Sequence, residues 1–392
     1  MKILITSDWY IPAVNGVVTS IRNLRRELEA RGHEVRVLTL SQTTHSWEEK
    51  GVTYLGSIPA GRIYPGARLR TSSTRRWLRE LAEWGPDVIH SQCEFSTFFV
   101  ARRMAEYLHV PLIHTYHTVY EDYTHYFSPS VRFGKKAVAV FSRWVASQTD
   151  CIIAPTTKVR QLLLGYGVSR PVFVVPSGID LDRFSGEPDP IRQAVLRRSL
   201  NIPEENRILV CVGRLAEEKN IDELLKFRAH LGEAPVTLLL VGDGPDRLRL
   251  EGVAAGLNLA APAVVFAGMV PPAQIADWYQ LGDLFVSAST SETQGLTYIE
   301  ALAAGVPALC RADPCLNGVI REGVNGWQYR NETEFLDKLN RLIAHPQWRG
   351  QMSAVVRRSV EPYSAREFAR MMESIYLQML DRRSGKTGEV SA

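Results

Sequence analysis

Two glutamates with seven residues between them, Glu292 and Glu300, flank a glycine-containing turn, Gln294-Gly295-Leu296, in the run STSETQGLTYIEALAAGVPALC. The alanine-rich sequence after the turn predicts a helix, and the N–H groups and dipole at a helix N-terminus favour anions. A carboxylate on such a helix can accept hydrogen bonds from a sugar or ribose diol, while the N–H groups of the turn can bind a phosphate. Helix capping and a solvated helix face explain the two acids equally simply.

A pair of cations, Arg214 and Lys219, follows the apolar run ILVCV in the segment GRLAEEKN. The pattern predicts a junction between a strand and a helix. Two cations at such a junction suit a diphosphate, because arginine offers a planar fork of donors and lysine a point charge. Surface pairing with Glu217 or Glu218 is an equally good explanation of the same residues.

The segment SDWYIPAVNGVVTSI joins the first predicted strand to the first predicted helix and places Asn15 and Gly16 at the helix entrance. Doubly wound sheets bind ligands in loops of this kind, at the carboxyl ends of parallel strands. The segment lacks the G-x-G-x-x-G pattern, so it does not indicate a dinucleotide site. A simple turn glycine accounts for Gly16 by itself.

Three histidines within twelve residues, His114, His117 and His125, raise the question of a metal site. Along a strand, His114 and His117 point to opposite faces, which argues against a shared metal. The letters D-x-D occur at residues 180–182, but there they lie in a predicted linker. We therefore predict no metal centre.

The 392 residues exceed one usual domain, and strand and helix patterns alternate and then restart after GIDLDRFSGEPDP. Such alternation predicts an α/β fold with parallel sheets covered on both faces. We predict domains at 1–180 and 181–362, followed by a C-terminal helix and tail at 363–392. The predicted strands are KILITS, HEVRVLTL, PDVIHSQ, VPLIHTYH, CIIAPTT and PVFVVPSG in the first half, and RILVCVGRL, VTLLLVGDGP, AVVFAGMV, DLFVSAST, PALCR and GWQYR in the second.

The composition, 45% hydrophobic and 22% charged, is that of an ordinary globular protein. Five scattered cysteines favour a reducing compartment. We expect neither a signal peptide nor a membrane span, and hence a cytoplasmic protein. Charge is uneven: residues 1–180 hold 22 basic and 15 acidic residues, a net charge of +7, whereas residues 181–392 hold 24 and 27, a net charge of −3.

The order of these motifs resembles that of the retaining, nucleotide-sugar-dependent glycosyltransferases of the two-Rossmann (GT-B) type. The resemblance extends over nearly the whole chain. Within the family, HTYHTVYEDYTHY, PSGIDLDRF and SETQGLTYIEALAAG are most similar to the bacterial 1,2-diacylglycerol 3-glucosyltransferases, and Gln294 stands where much of the wider family has an aromatic residue. The motifs are Gly213-Arg214 with Lys219, Gly242-Asp243-Gly244-Pro245, Phe266-Ala267-Gly268, Glu292 with Glu300, and Ala304-Gly305-Val306-Pro307.

This resemblance implies two Rossmann-like domains facing across a cleft, with the C-terminal helix returning to the N-terminal domain. It implies transfer of a hexose, expected to be glucose from UDP-glucose, to a lipid such as 1,2-diacylglycerol, with retention of anomeric configuration and without a metal or other cofactor. The implied site residues are Arg214 and Lys219 on the donor diphosphate, Glu292 on the transferred sugar, Glu300 on the ribose, Gln294, Gly295 and Leu296 near the phosphates, Met269 and Val270 at the base, Asn15 and Gly16 in the first loop, and His117 on the sugar.

On this reading the developing charge of the leaving diphosphate is stabilised by side-chain cations and helix N-termini. No carboxylate of the first domain stands out as a nucleophile, so we expect front-face attack assisted by the leaving phosphate. Double displacement stays open.

The run GRIYPGARLRTSSTRRWLR, residues 61–79, holds six arginines and no acid, interleaved with aromatic and leucine side chains. Basic residues beside aromatics suit the interface of an anionic bilayer, so we predict peripheral association with the inner face of the cell membrane. A second basic-aromatic block spans 131–148. A solvated basic face and a core-facing helix are the respective alternatives, and no nucleic-acid recognition module is present. The predicted membrane contacts are Arg62, Arg68, Arg70, Arg75, Arg76 and Trp77.

Other acceptors remain open: phosphatidylinositol, a soluble sugar or a growing polysaccharide. Two other classes of protein also fit the motifs. A nucleotide-sugar epimerase would need acid–base groups facing the sugar and no lipid-facing surface. A non-catalytic nucleotide-sugar sensor would not need Arg214, Lys219, Glu292 and Glu300 together.

Overall fold

The computed structural model describes residues 1–13, 15–61, 67–71, 74–121, 131–344 and 347–385. Arg62 of the predicted membrane contacts and His125 lie outside these residues. The chain forms two compact units. The first unit comprises Met1–Ile179 and Ala365–Ala392, and the second comprises Asp180–Ser364. The boundaries predicted from the sequence were 180/181 and 362/363.

The first unit is built on a sheet whose strands follow the order β10-β9-β8-β7-β1-β2-β4-β3, parallel throughout except for β3 against β4. A separate antiparallel pair joins β5 and β6. The strands are β1 (Lys2–Thr6), β2 (Glu34–Leu40), β3 (Trp47–Glu49), β4 (Val52–Leu55), β5 (Ser57–Pro59), β6 (Arg68–Arg70), β7 (Val88–Ser91), β8 (Leu112–Thr115), β9 (Cys151–Ala154) and β10 (Val172–Val174). The helices are α1 (Gly16–Ala30), α2 (Arg75–Trp84), α3 (Ser96–Leu108), α4 (Val131–Ser147) and α5 (Thr157–Gly165).

The second unit is a six-stranded, fully parallel sheet with the order β13-β12-β11-β14-β15-β16. This is the strand order of a Rossmann fold. The strands are β11 (Arg207–Val212), β12 (Val236–Val241), β13 (Val264–Gly268), β14 (Leu284–Ser287), β15 (Ala308–Arg311) and β16 (Gly326–Tyr329). The helices are α6 (Pro190–Ser199), α7 (Ile221–His230), α8 (Arg247–Gly256), α9 (Ile275–Leu281), α10 (Leu296–Ala303), α11 (Glu332–Ala344) and α12 (Gln347–Arg358).

Continuous apolar runs form the strands of both sheets because helices cover both sheet faces. Strand β12, VTLLLV, is buried at every position. The predicted α/β fold with two Rossmann-like sheets is confirmed, and each strand that the sequence predicted is present.

The C-terminal helix, α13 (Ala365–Arg383), belongs to the first unit rather than to the second unit that precedes it in the chain. Its apolar stripe shares a core with α1, where Ile21 and Leu24 are fully buried. Burial of each large side chain of this kind contributes about 1.5–3 kcal/mol. The predicted return of the helix to the N-terminal domain is confirmed. The buried residues of the stripe are Phe368, Met372, Ile375, Tyr376 and Met379.

Candidate functional site

In each sheet the order of the strands reverses at a switch point. The strands on one side of this point follow one another toward one edge of the sheet, and those on the other side toward the opposite edge. In the second unit this switch point lies between β11 and β14, and in the first unit between β1 and β7. Open α/β sheets bind ligands beside such a point, at the carboxyl ends of the strands. The predicted site residues of the second unit follow β11, β13 and β14, and those of the first unit follow β1 and β8.

An ion pair joins the two loops of the second unit's switch point. Lys219 Nζ donates to Glu292 Oε1 at 2.5 Å. The two side chains retain 26% and 16% of their exposure, so the pair is largely but not wholly shielded from water. Such a pair can exchange partners with an incoming ligand, because a phosphate can take over the lysine and a sugar hydroxyl can donate to the carboxylate.

Arg214 lies five residues before Lys219 but has a different partner. Its guanidinium bonds to Glu218 of the same loop, and the arginine side chain is 49% exposed. The alternative of local surface pairing therefore applies to Arg214, whereas Lys219 reaches across to the second loop. Arg214 is exposed enough to turn toward a diphosphate, but Glu218 is only 5% exposed, so the move would leave a largely buried carboxylate without this partner.

Glu300 lies on α10. The hydroxyl of Tyr279, on α9, donates a hydrogen bond to Glu300 Oε2 at 2.7 Å. Tyr279 is completely buried between Phe184 and Phe285. Burial raises the pKa of Glu300, and the tyrosine bond partly offsets this. Among the residues that the structure describes, Oε1 has no hydrogen-bond partner, so one carboxylate oxygen can accept from a diol.

The turn before α10 has a conformation that only glycine adopts readily. Gly295 has φ +73°, and a Cβ there would lie 2.1 Å from the ring of Tyr298. Gln294 beside it is 5% exposed. The tight turn thus presents the N–H groups at the start of α10 without a side chain in front of them.

Met269 and Val270 follow β13 directly, and the Met269 side chain is 69% exposed. The neighbouring loop packs backbone against backbone. A Cβ on Gly242 would lie 2.0 Å from the carbonyl oxygen of Gly213, and one on Gly244 would lie 2.2 Å from that of Leu215. The Gly-Asp-Gly-Pro turn therefore positions the segment that carries Arg214.

In the first unit, Asn15 has a structural role that the sequence did not reveal. It is the N-cap of α1, and its Oδ1 accepts from the backbone N–H of Val18 at 2.9 Å. That oxygen is consequently engaged within the protein. Gly16 is the first residue of the helix.

His117 follows β8 and lies in a polar cluster at the carboxyl edge of the first sheet. Its Nε2 donates to Gln92 Oε1 at 2.6 Å. Burial lowers the pKa of His117 to about 4, so the imidazole is neutral at physiological pH. His114, by contrast, is fully buried and contacts Glu94 at 3.2 Å, which agrees with a structural role.

The sequence analysis missed three polar residues of this cluster: Asp8, Gln92 and Glu94. The two oxygens of Asp8 accept from the first N–H groups of α3 and from Thr97 Oγ1, at 2.6–3.0 Å. Glu94 also accepts from Tyr120 at 2.5 Å. Gln92 ends the predicted strand PDVIHSQ and Glu94 follows it, which was a usable signal, since that end of a parallel strand is where sites form.

Two predicted membrane contacts prove to have internal roles. Arg68 donates to the carbonyl oxygens of Ser41, Gln42 and Ser57 and to Ser57 Oγ, at 2.7–3.1 Å, so its guanidinium ties the β5–β6 pair to the sheet rather than facing a bilayer. Trp77 is half-buried against the core beneath α2. Arg75 and Arg76 are exposed, and Arg70 is half-buried.

No helix in the described ranges has both the length and the apolarity that crossing a bilayer requires. Within the same ranges, His, Cys, Asp and Glu side chains do not converge in threes as metal ligands would. Independence from metal ions stays a prediction.

Comparison with known proteins places this geometry in a family. The model of Glycosyltransferase Family 4 matches residues 14–183, and that of Glycosyl transferases group 1 matches residues 193–358. The chain is 34% identical to the alpha-monoglucosyldiacylglycerol synthase of Streptococcus pneumoniae, over 97% of this chain and 86% of the relative. It belongs to the glycosyltransferase family that includes this synthase.

The same enzyme name is carried by a relative from Acholeplasma laidlawii, which is 31% identical over 98% of this chain and 99% of its own length. Among solved structures, sucrose-phosphate synthase of Thermosynechococcus elongatus superposes with a TM-score of 0.75 at 22% identity, covering 97% of this chain and 99% of the other. Anabaena HepE in complex with UDP also gives 0.75, at 18% identity and coverage of 96% and 100%. These structures establish the fold of this glycosyltransferase, and the family makes it a hexosyltransferase.

Proposed function

We propose that the protein transfers glucose from UDP-glucose to 1,2-diacylglycerol, with retention of anomeric configuration, at an anionic membrane surface. The observation that carries the proposal is the Lys219–Glu292 pair at the switch point of the second sheet, in a chain whose relatives over nearly full length are alpha-monoglucosyldiacylglycerol synthases. The cation of this pair complements a diphosphate, and the carboxylate complements the hydroxyls of a sugar.

Donor binding begins with an exchange of partners. Lys219 and Arg214 leave Glu292 and Glu218 for the diphosphate oxygens, and the N–H groups from Gln294 to Leu296 bind the same anion. Glu292 then accepts from hydroxyls of the glucose. Glu300 Oε1 accepts from the ribose diol, and the backbone at Met269 and Val270 meets the uracil.

Transfer proceeds by departure of UDP while the lipid hydroxyl attacks the anomeric carbon from the same face. The bond from the anomeric carbon to the phosphate oxygen breaks, the bond to the acceptor oxygen forms, and the hydroxyl proton passes to the leaving phosphate. Lys219 and Arg214 stabilise the negative charge that develops on UDP, which lowers the barrier because that charge is larger in the transition state than in the bound donor.

The acceptor enters from a bilayer that contacts the first unit. A groove of about 630 Å³ between α2 and α3 is lined by Arg70, Arg79 and Arg103 together with the exposed rings of Phe99 and Tyr107. Arg79 and Arg103 have no hydrogen-bond or ion-pair partner among the described residues. Burial and the charge of Arg103 lower the pKa of Arg70. Unpaired guanidiniums beside exposed aromatic rings suit an anionic lipid interface.

The test is to incubate the protein with radiolabelled UDP-glucose, UDP-galactose or GDP-mannose and with vesicles that do or do not contain diacylglycerol. Label from UDP-glucose should enter an α-glucosyl lipid only when diacylglycerol is present. Parallel reactions with phosphatidylinositol vesicles and soluble sugars measure the competing acceptors. Label that enters either of these instead, or a β-linked product, would refute the proposal.

A further inference from the structure

A chain of polar contacts in the first unit connects the C-terminal helix to His117. Tyr376 OH on α13 lies 2.7 Å from His90 Nδ1 on β7. Gln92 Nε2 lies over the ring of His90, 3.1 Å from Nδ1 and 3.0 Å from Nε2, and Gln92 Oε1 lies 2.6 Å from His117 Nε2. Tyr376 and His90 are fully buried and Gln92 is 2% exposed, so water cannot substitute for these contacts.

The chemistry of the groups sets the position of the proton on His117. The carboxamide oxygen of Gln92 can only accept, so His117 must carry its proton on Nε2. Gln92 cannot turn its amide over without presenting its NH₂ group to His117 and its oxygen to the face of His90. Both ring nitrogens of His90 are already engaged, since Nε2 lies 2.7 Å from Thr115 Oγ1.

The other ring nitrogen of His117, Nδ1, then has a lone pair to offer. Nδ1 has no hydrogen-bond partner among the described residues, and the atom is not fully buried. Solvent or a ligand can therefore reach it. An imidazole in this tautomer accepts a hydrogen bond at Nδ1, whereas an imidazolium could only donate.

The surroundings keep the ring neutral. Burial is the largest influence and lowers the pKa of His117 to about 4, with a further contribution from His114 on β8. The charge of Glu94, in the loop after β7, acts in the opposite direction. His90 is neutral as well, since burial lowers its pKa well below the usual range. Gln92 is thus an uncharged partner for His117, whereas a carboxylate in the same position would favour the imidazolium.

We propose that Gln92 is a positioning residue that holds His117 in the Nε2–H tautomer, so that Nδ1 accepts a hydrogen bond from a hydroxyl of a bound ligand. The identity of that hydroxyl ligand rests on the proposed function, but the tautomer is a property of the free protein. Tyr376 supports the same arrangement from α13 by orienting His90, on which the carboxamide of Gln92 packs.

The first experiment needs no substrate. Long-range ¹H–¹⁵N spectra of protein labelled at histidine distinguish the two neutral tautomers and the imidazolium. We expect His117, assigned through a His117→Asn variant, to show a protonated Nε2 and a bare Nδ1 at pH 7. Gln92→Leu should lose this bias and give a mixture, whereas Gln148→Leu, which removes a hydrogen bond to Arg102 elsewhere in the unit, should not change His117. A protonated Nδ1 in the wild type, or an unchanged spectrum in Gln92→Leu, overturns the proposal.

The second experiment uses Gln92→Glu, which keeps the shape of the side chain and carries the test if Gln92→Leu does not fold. A carboxylate beside Nε2 raises the pKa of His117, so the acidic limb of kcat/KM should move from near pH 4 toward neutrality. Activity at pH 6 should fall by about tenfold and recover at pH 8, which a merely structural defect would not do. An acidic limb that coincides with that of the wild type contradicts the proposal.

The two experiments separate this proposal from the proposed function. If the tautomer is as described but no donor sugar is transferred to any acceptor, the function fails and the positioning role stands. If transfer occurs and neither the spectrum nor the pH profile responds to Gln92, the positioning role fails and the function stands.

Discussion

The two units share a strand order around their switch points but fill those points with different chemistry. In the second unit the loops after β11 and β14 meet through a charged pair, Lys219 and Glu292, that retains contact with water. In the first unit the residues after β7 and β8 meet through Gln92 and a His117 that burial keeps neutral. The cation of the charged pair suits a diphosphate, and the neutral imidazole suits a hydroxyl.

The difference shows how one topology can divide a reaction. A charged group is costly to bury unless it is paired, so the unit that must bind an anion keeps its cations paired with carboxylates until the anion arrives. The first unit instead buries its polar groups, including the carboxylate of Glu94, in a hydrogen-bonded network. If this comparison is correct, changes to the charged residues of the second unit's site should have the largest effects.

The largest effect is expected from Lys219→Ala. Loss of the cation should reduce turnover by about a hundredfold or more, which corresponds to roughly 3 kcal/mol of transition-state stabilisation, with the fold intact. Arg214→Ala should act in the same direction. Lys226→Ala, which removes an exposed lysine from the neighbouring helix α7, is the control and should be near wild type. Near-normal turnover in both Lys219→Ala and Arg214→Ala would sink the diphosphate assignment.

Glu300→Gln should weaken binding of UDP-glucose by about tenfold to a hundredfold, because a charged acceptor for the ribose diol becomes a neutral one. The same change should raise the thermal midpoint at pH 7. Burial raises the pKa of Glu300 in the folded state, so its ionised form opposes folding at neutral pH, and stability recovers as pH falls through the folded-state pKa.

Calorimetry for the donor and thermal scans from pH 7 to pH 4 measure both effects. The difference in the thermal midpoint of unfolding between Glu300→Gln and the wild type should become smaller at low pH. Unchanged donor affinity, or a gap that widens on acidification, would show that Glu300 has another role.

The triple variant Arg75→Gln, Arg76→Gln and Arg79→Gln on α2 should reduce co-sedimentation with anionic vesicles by about tenfold and reduce activity on lipid in the same vesicles. Binding of UDP-glucose should stay normal, since none of the residues assigned to the donor lies on α2. Rising salt should weaken vesicle binding of the wild type by screening.

A matched triple variant in the second unit, Arg198→Gln, Arg341→Gln and Arg358→Gln, removes the same charge from exposed positions. It should sediment like the wild type. Equal loss in both triple variants would mean that net charge alone, and not the α2 surface, attracts the protein to lipid.

The smallest effect is expected from chelation. Activity in excess EDTA should stay within about twofold of the untreated enzyme, because Lys219, Arg214 and helix N-termini stabilise the leaving group. A loss that manganese or magnesium specifically restores would show that the second unit's own cations are insufficient.

Much of the fold could be predicted because its strands are fully buried. Short runs such as VTLLLV and KILIT favour strands between covering layers, and each appears where the sequence predicted it. Four strands were not predicted: Trp47–Glu49, Val52–Leu55, Ser57–Pro59 and Arg68–Arg70. Three of them are three residues long and carry little apolar pattern. Val52–Leu55 is buried at every position, so its burial depends on the parallel partner β2, which precedes it in the sheet.

The candidate site, too, could be predicted only in part. The sequence by itself determined the residue types, the order of the motifs and the turn at Gly295, because these depend on neighbours along the chain and on backbone sterics. Only the tertiary structure decided the partners: Lys219 with Glu292, Glu300 with Tyr279 and His117 with Gln92. Hydrogen bonds and ion pairs act over a few ångströms, and the sheets bring within that distance residues that lie 73, 21 and 25 positions apart.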